Sequence, residues 1–205
     1  MGRVATDVYG RTIGRIIGID RNAFGEFEGV QVEPYGGGMF TAKARQIALT
    51  PKNVTLTPEW KIDSGELITE LSTLRKRVEA LESLKDSREI DGEIYGEMLE
   101  AQKAGYLERV KSAEALSDSM KARLGLMMGQ ISSLTKYLVN AKLDHKSGGL
   151  DEHSLRLARE SIEPSLRPLM AERNDLTASL KDLEKVLPAR VSVGQNRKDD
   201  GFEEP

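Results

Sequence analysis

The chain has no cysteine and only two histidines in its 205 residues. Disulfide frameworks and thiolate metal sites are therefore excluded, and an active site has almost nothing to be built from. The expectation is a protein that is not an enzyme and needs no cofactor. Aromatic residues make up 5% of the chain, which suits long helices with solvated faces better than a thick globular core. No apolar run approaches the roughly 18 residues a membrane span needs. The opening residues, Met1-Gly2-Arg3-Val4, lack the apolar stretch of a secretory signal, so a soluble cytoplasmic protein is expected. An excess of one charge sign is missing too. The net charge is −3 overall, with +2 over residues 1–61 and −4 over residues 62–187. That balance argues against a dedicated nucleic-acid surface.

What the chain does have is charge of both signs, 31% of residues, and a long regular spacing of apolar ones. From Tyr106 to Ala141 core-type residues recur at alternating steps of four and three: Tyr106, Val110, Ala113, Ser117, Met120, Leu124, Met127, Ile131, Leu134, Leu138 and Ala141. A sustained 3.5-residue period imposes a left-handed supercoil with a partner helix. Shorter stretches of the same seam run from Trp60 through Leu67, Leu71 and Val78 to Leu81, and from Ile162 through Leu166, Leu169 and Arg173 to Leu187. The spacing predicts three helices at about 58–86, 91–144 and 151–187, with Thr57 as the first N-cap and Pro58 at the first helical position, and Asp91 and Asp151 as the other N-caps. The corners between them look alike: a hydrophobe, an Asp cap and an apolar residue recur about 60 residues apart. Pro164 and Pro168 predict a kink in the third helix or a late start to it. Spacing alone leaves open whether these helices pair within one chain or between chains. The second is much the longest, however, and its surplus length favours self-association into a dimer or filament through Tyr106, Val110, Met120, Leu124, Met127, Ile131, Leu134 and Leu138.

Residues 1–57 have a different texture. Glycines punctuate short β-branched runs at 13–19, 27–32, 39–42 and 54–56, which predicts a small, strongly curved sheet or barrel. Residues 188–205 are polar and charged, and such composition does not bury enough surface to order itself. Within that tail Val191, Ser192 and Val193 form a short alternating segment. It reads either as flexible tail or as a linear motif that adds a strand to the sheet edge of a partner. Other candidates for chemistry are weak. His145 and His153 flank the second corner at no standard metal-ligand spacing. Gly36, Gly37 and Gly38 lack the Lys-Ser/Thr of a phosphate loop and read as a turn. Arg11, Arg15, Arg21, Lys43 and Arg45 are the candidates for phosphate contacts if the head touches DNA.

The stretch from Asp7 to Ile16, with its Gly-x-x-Ile-Gly turn, resembles the opening of a PRC-barrel domain, and Ala44-Arg45-Gln46-Ile47 resembles a later strand and turn of it. Leu56-Thr57-Pro58-Glu59-Trp60-Lys61 resembles the junction of barrel and helix in the CdvA family of archaeal cell-division proteins. Ala80-Leu81-Glu82-Ser83-Leu84, followed by Glu89-Ile90 and Tyr95, resembles that family's first helical corner. The similarity runs in order over about residues 5–187. It implies an α+β protein: a PRC-barrel-like β domain over 1–57, a three-helix coiled-coil rod over 58–187 and a tail over 188–205. It also implies a structural role beneath the cell membrane at the division site, self-assembly, recruitment of an ESCRT-III-like CdvB protein by the C-terminal segment, and an association with DNA. The tail departs from the family's ESCRT-III-binding peptide, and the two prolines depart from its smooth third helix. The alternative from a different class is an architectural coiled-coil protein associated with nucleic acid.

Overall fold

The structure is a computed structural model and describes residues 2–49 and 53–188; the segment Val191, Ser192 and Val193 lies outside them. Six strands come first: β1 (Val4–Asp7), β2 (Thr12–Arg21), β3 (Phe27–Pro34), β4 (Phe40–Lys43), β5 (Ile47–Leu49) and β6 (Val54–Leu56). Three helices follow: α1 (Glu59–Asp86), α2 (Gly92–Lys146) and α3 (Glu152–Val186). The class is α+β, as the sequence predicts.

The strands form one sheet in the order β4-β3-β2-β1-β6-β5. Only β1 and β6 pair in parallel. The two edge strands, β4 and β5, are consecutive in the chain, joined by the single 3-10 turn Ala44–Gln46. A flat sheet of six strands would hold its edges about 24 Å apart, whereas Lys43 to Ile47 spans at most about 14 Å. The sheet must therefore curl towards closure. Bulges in β2 between Ile16 and Gly18 and between Asp20 and Arg21 supply part of the bend. Gly14 supplies another part, since a Cβ there would lie 2.1 Å from the Glu33 carbonyl oxygen. Inside the curl sit Ala5, Ile16, Val30, Val32, Ala42, Val54 and Leu56. This core is small, which makes support from the helices important.

The hand-over to α1 differs from the expectation. Thr57 is not the cap: its N–H donates to the Gln46 carbonyl at 2.7 Å, so it still belongs to the extended run of β6. Pro58 takes the N-cap position with φ −56° and ψ 139°, and the helix opens at Glu59. Asp91 and Asp151 do cap. Asp91 Oδ1 accepts from the backbone N–H groups of Glu93 and Ile94 at 3.0 and 2.8 Å, and Asp151 Oδ1 accepts from that of Ser154 at 2.7 Å.

The two corners share one geometry. In the first, Arg88 N–H donates to the Lys85 carbonyl and Glu89 N–H to that of Leu84, both at 3.0 Å. In the second, Gly148 N–H donates to His145 and Gly149 N–H to Asp144, at 3.1 and 2.8 Å. Arg88 and Gly148 occupy the left-handed position at φ 61° and 81°, as residues just past a helix end commonly do. The resemblance between the corners is thus a repeated turn with an Asp cap behind it.

The prolines neither delay nor end α3, which runs unbroken with Pro164 and Pro168 inside it. Each removes one backbone donor. Pro164 lies on the exposed face and Pro168 is half-buried, so water can serve the Glu160 carbonyl while Leu166 keeps the inner face packed.

At 1.5 Å per residue α2 is about 82 Å long. Trp60 packs with Met120, Met127, Leu176 and Leu180, and Leu71 with Val110, Ala113 and Leu183. Advancing along α1 thus means advancing along α3 and retreating along α2. The first and third helices are parallel neighbours, both antiparallel to the second. They overlap side by side only around residues 60–71 and 176–187. Toward the first corner α2 has α1 alone beside it, and toward the second corner α3 alone.

Candidate functional site: the head–rod clamp and the half-covered seam

The head is fastened to the rod by the turn between β1 and β2. Asp7 Oδ1 accepts from the backbone N–H groups of Tyr9 and Arg11 at 3.0 and 2.9 Å, which shapes that turn. Its other oxygen takes Arg11 Nε and Nη2, each at 2.6 Å. Arg11 Nη2 also lies 2.5 Å from Glu172 Oε2 on α3. Glu172 is completely buried, and its Oε1 takes Nε and Nη2 of Arg123 on α2 at 2.5 Å each. One carboxylate from α3 is therefore gripped by a guanidinium from the head and another from α2. Arg123 pairs with two nitrogens on one oxygen, while Arg11 meets Oε2 as an ion pair without a hydrogen bond; the weakly hydrated guanidinium suits such desolvated carboxylates.

Beside this, the Tyr9 hydroxyl donates to Asp175 Oδ2 at 3.1 Å, and Lys61 Nζ on α1 donates to the same oxygen at 2.5 Å. The Arg11 guanidinium and the Lys61 ammonium lie 5.4 and 5.6 Å from the centre of the Tyr9 ring. Burial, and then the Asp175 carboxylate, push the Tyr9 phenol well above its usual value of 10.0. Burial works against the Arg11 charge, but Asp7 and Glu172 outweigh it and hold the guanidinium above its ordinary range. All three helices and the head meet in this cluster.

A second, solvated contact ties the 3-10 turn to the first turns of α1. Lys43 and Arg45 meet Glu59 at 2.8 and 3.0 Å, and Arg45 reaches Asp63 and Glu66 at 2.7 and 3.0 Å. Hydrogen bonds from Lys43 and Arg45 lower the Glu59 carboxyl below its usual 4.5. The remaining candidate phosphate contacts are also engaged: Arg15 pairs with Glu33 at 3.1 Å, and Arg21 donates to the Gly25 carbonyl at 2.8 Å. A phosphate would have to compete with a carboxylate at Arg11, Arg15, Lys43 and Arg45.

The eight seam residues divide by burial. Val110, Met120 and Met127 are 8%, 1% and 4% exposed and pack against α1 and α3 of the same chain. Their apolar surface is already used inside one chain. Tyr106, Leu124, Ile131, Leu134 and Leu138 are half-buried, and the last two lie where only two helices run. The seam reading missed a second set of residues on α2. Leu126, Tyr137 and Leu143 are 76%, 65% and 57% exposed, with Met128 and Val139 also exposed. They fall off the 4-3 positions. In the sequence they stand out only as apolar residues that flank the seam or lie on the outer face after Gly125. Reasoning from the sequence also missed Glu172, whose trace is the charged Arg173 interrupting the third helix's seam.

Among the described residues no three metal-capable side chains converge, and no helix is long and apolar enough to cross a membrane. The architecture defines a class: a small β head clamped onto a long, largely intramolecular coiled-coil rod. The chain belongs to the family of CdvA-like coiled-coil domain proteins, whose model matches residues 59–203, from the first residue of α1 onward. It is similar to Cell division protein A of Sulfolobus acidocaldarius (strain ATCC 33909), at 25% identity over 184 residues, or 90% of this chain and 77% of the relative. An alignment of that length cannot fit within residues 59–205, so it takes in part of the head. No solved structure matches the chain.

Proposed function

We propose that the protein is a non-enzymatic scaffold of archaeal cell division, one that self-assembles through its rod and recruits an ESCRT-III-like CdvB protein to the membrane at the division site. Membership of the CdvA-like family and the name of the Sulfolobus relative support the division role. The observation that carries self-assembly is the mismatch in helix lengths. The 55 residues of α2 have a third helix beside them only in the middle, and its C-terminal half carries exposed Leu126, Met128, Tyr137, Val139 and Leu143. Apolar surface left uncovered along a rod is what a second copy of the rod would cover. Recruitment is assigned to the tail, with Val191 and Val193 reading the pockets of a partner's sheet edge. The nucleic-acid reading is less favoured, because four of the five basic candidates on the head already face carboxylates.

Recruitment is tested by mixing purified CdvB protein of the same organism with the full chain and with the Val191→Asp/Val193→Asp double variant. Capture by the first and a loss of at least tenfold with the second is expected. Equal capture by both would remove the tail from the account.

A further inference from the structure

Among the described residues each end of the rod is one helix short. Toward the first corner, past the last turn of α3, the seat that this helix occupies against α1 and α2 continues as a trough of about 540 Å³. Leu74 and Val78 of α1 and Leu99 and Tyr106 of α2 line it, and Val186 and Leu187 close its near end. Toward the second corner α1 is the missing neighbour, and Tyr137 and Leu143 of α2 and Leu157 of α3 are exposed there. We propose that the trough receives the second-corner end of another copy, so that copies join end to end, all pointing the same way, into an open chain. The proposal rests on the self-assembly reading above and names the surface that takes up the exposed end.

Direction argues first. In such an overlap α2 and α3 of one copy lie beside α1 and α2 of the next. The two α2 helices run one way and the α1 and α3 helices the other, which is the balance of an antiparallel four-helix bundle. Length argues second. From Gly92 to Tyr106, α2 runs about 21 Å toward the trough's near end. From Ile131, which packs on the Trp60 cluster, to Lys146 it runs about 23 Å. Two stretches short of one helix therefore match in length.

Charge decides which ends meet. Residues 119–143 of α2 hold Lys121, Arg123, Lys136 and Lys142 and no acid, whereas residues 92–101 hold Glu93, Glu97 and Glu100 and no base. Lys136, Lys142 and the three glutamates are exposed. The neighbouring parts of α1 and α3, residues 74–86 and 152–167, are balanced to within one charge. Joining two second-corner ends would set lysine against lysine, and joining two first-corner ends glutamate against glutamate. Only unlike ends bring the basic stretch of one α2 to the acidic stretch of the next, and such complementarity fixes register and rejects the wrong pairing. Because the two patches differ, each junction leaves a free trough at one end and a free hairpin at the other, and growth does not stop at a dimer.

Two variants of the full chain test this by sedimentation velocity, with helix content checked by circular dichroism. Val78→Glu/Leu99→Glu blocks the trough, and Tyr137→Glu/Leu143→Glu blocks the entering end. Each should stay monomeric at a concentration where the wild type grows past a dimer. Their equimolar mixture retains one working trough and one working end, and should form a particle of twice the monomer mass that grows no further. A trough variant that assembles by itself would overturn the proposal and leave the trough to a different partner; a mixture that stays monomeric would overturn it too. A wild type that never assembles would instead remove the self-assembly reading beneath it. Disulfide trapping gives a reading that needs no disruptive charge, since the chain has no cysteine of its own. When Leu99→Cys and Leu143→Cys chains are mixed and oxidised, the mixed disulfide should form about tenfold faster than either self-pair, as the raised local concentration requires. Equal rates, or faster pairing between two Leu143→Cys chains, would contradict the junction.

Discussion

Glu172 is the residue on which the head's attachment turns. A fully buried carboxylate is tolerated only when its charge is matched, and here Arg11 and Arg123 match it from two different elements. Replacing it with alanine leaves two guanidiniums partly desolvated without their partner. Breaking a buried pair in this way costs about 3 kcal/mol, so Glu172→Ala should lower the urea-unfolding free energy by that order. Glu59→Ala removes equally good distances at the exposed contact, and solvent screening keeps its cost within about 1 kcal/mol. Tyr9 supplies a pH signature. Its folded-state pKa is raised, so its stabilising contribution is complete below the usual value of 10.0 and is lost as pH rises above it. Thermal melts between pH 9 and 11 should show a falling midpoint that flattens in Tyr9→Phe. None of this cluster was legible in the sequence. Arg11 reads there as a candidate phosphate contact, and nothing singles out Glu172 beside the seam position Arg173. Which cation meets which carboxylate depends on how head and rod dock, a contact between residues more than 160 positions apart.

At the scale of elements, the sequence carries far more. The 4-3 spacing placed all three helices within two residues of their observed ends, because amphipathic periodicity and an Asp cap are local signals. Alternation and glycine turns located β2, β3, β4 and β6 for the same reason. The hand-over at Thr57 was misjudged because a long-range backbone bond to Gln46 holds Thr57 in the strand. Of the two outcomes expected of Pro164 and Pro168, the late start does not occur, because α3 is capped at Asp151 and packed through Leu155, Leu166 and Leu176 on either side of them. The repeated corner offers a matched pair of substitutions. Arg88 adopts at φ 61° the conformation that Gly148 adopts at 81°, and only glycine does so without a steric penalty. Arg88→Gly should therefore stabilise the protein by about 0.5–1 kcal/mol and Gly148→Ala destabilise it by about 1 kcal/mol, both read from denaturant midpoints.

Across the whole molecule, the governing fact is unequal helix length. α1 and α3 fold back on α2 and share its middle, so most of the seam that first suggests partnership between chains is satisfied within one. What the sequence could not show is where that cover stops, since this depends on α1 and α3 lying side by side rather than end to end. Cover by a third helix stops toward both corners, and the end toward the second corner, on α2 beyond Gly125, carries the most exposed apolar residues. Residues exposed there test assembly better than the seam positions Leu124 and Ile131, which pack against the Trp60 cluster and whose loss would also loosen the rod. The decisive measurement is sedimentation velocity of the full chain over a hundredfold range of concentration, beside the Tyr137→Glu/Leu143→Glu variant, with helix content checked by circular dichroism. Self-assembly through this surface predicts a wild-type mass that climbs with concentration and a variant that stays monomeric with unchanged helicity. A wild type that remains monomeric throughout, or a variant that assembles equally well, would contradict it.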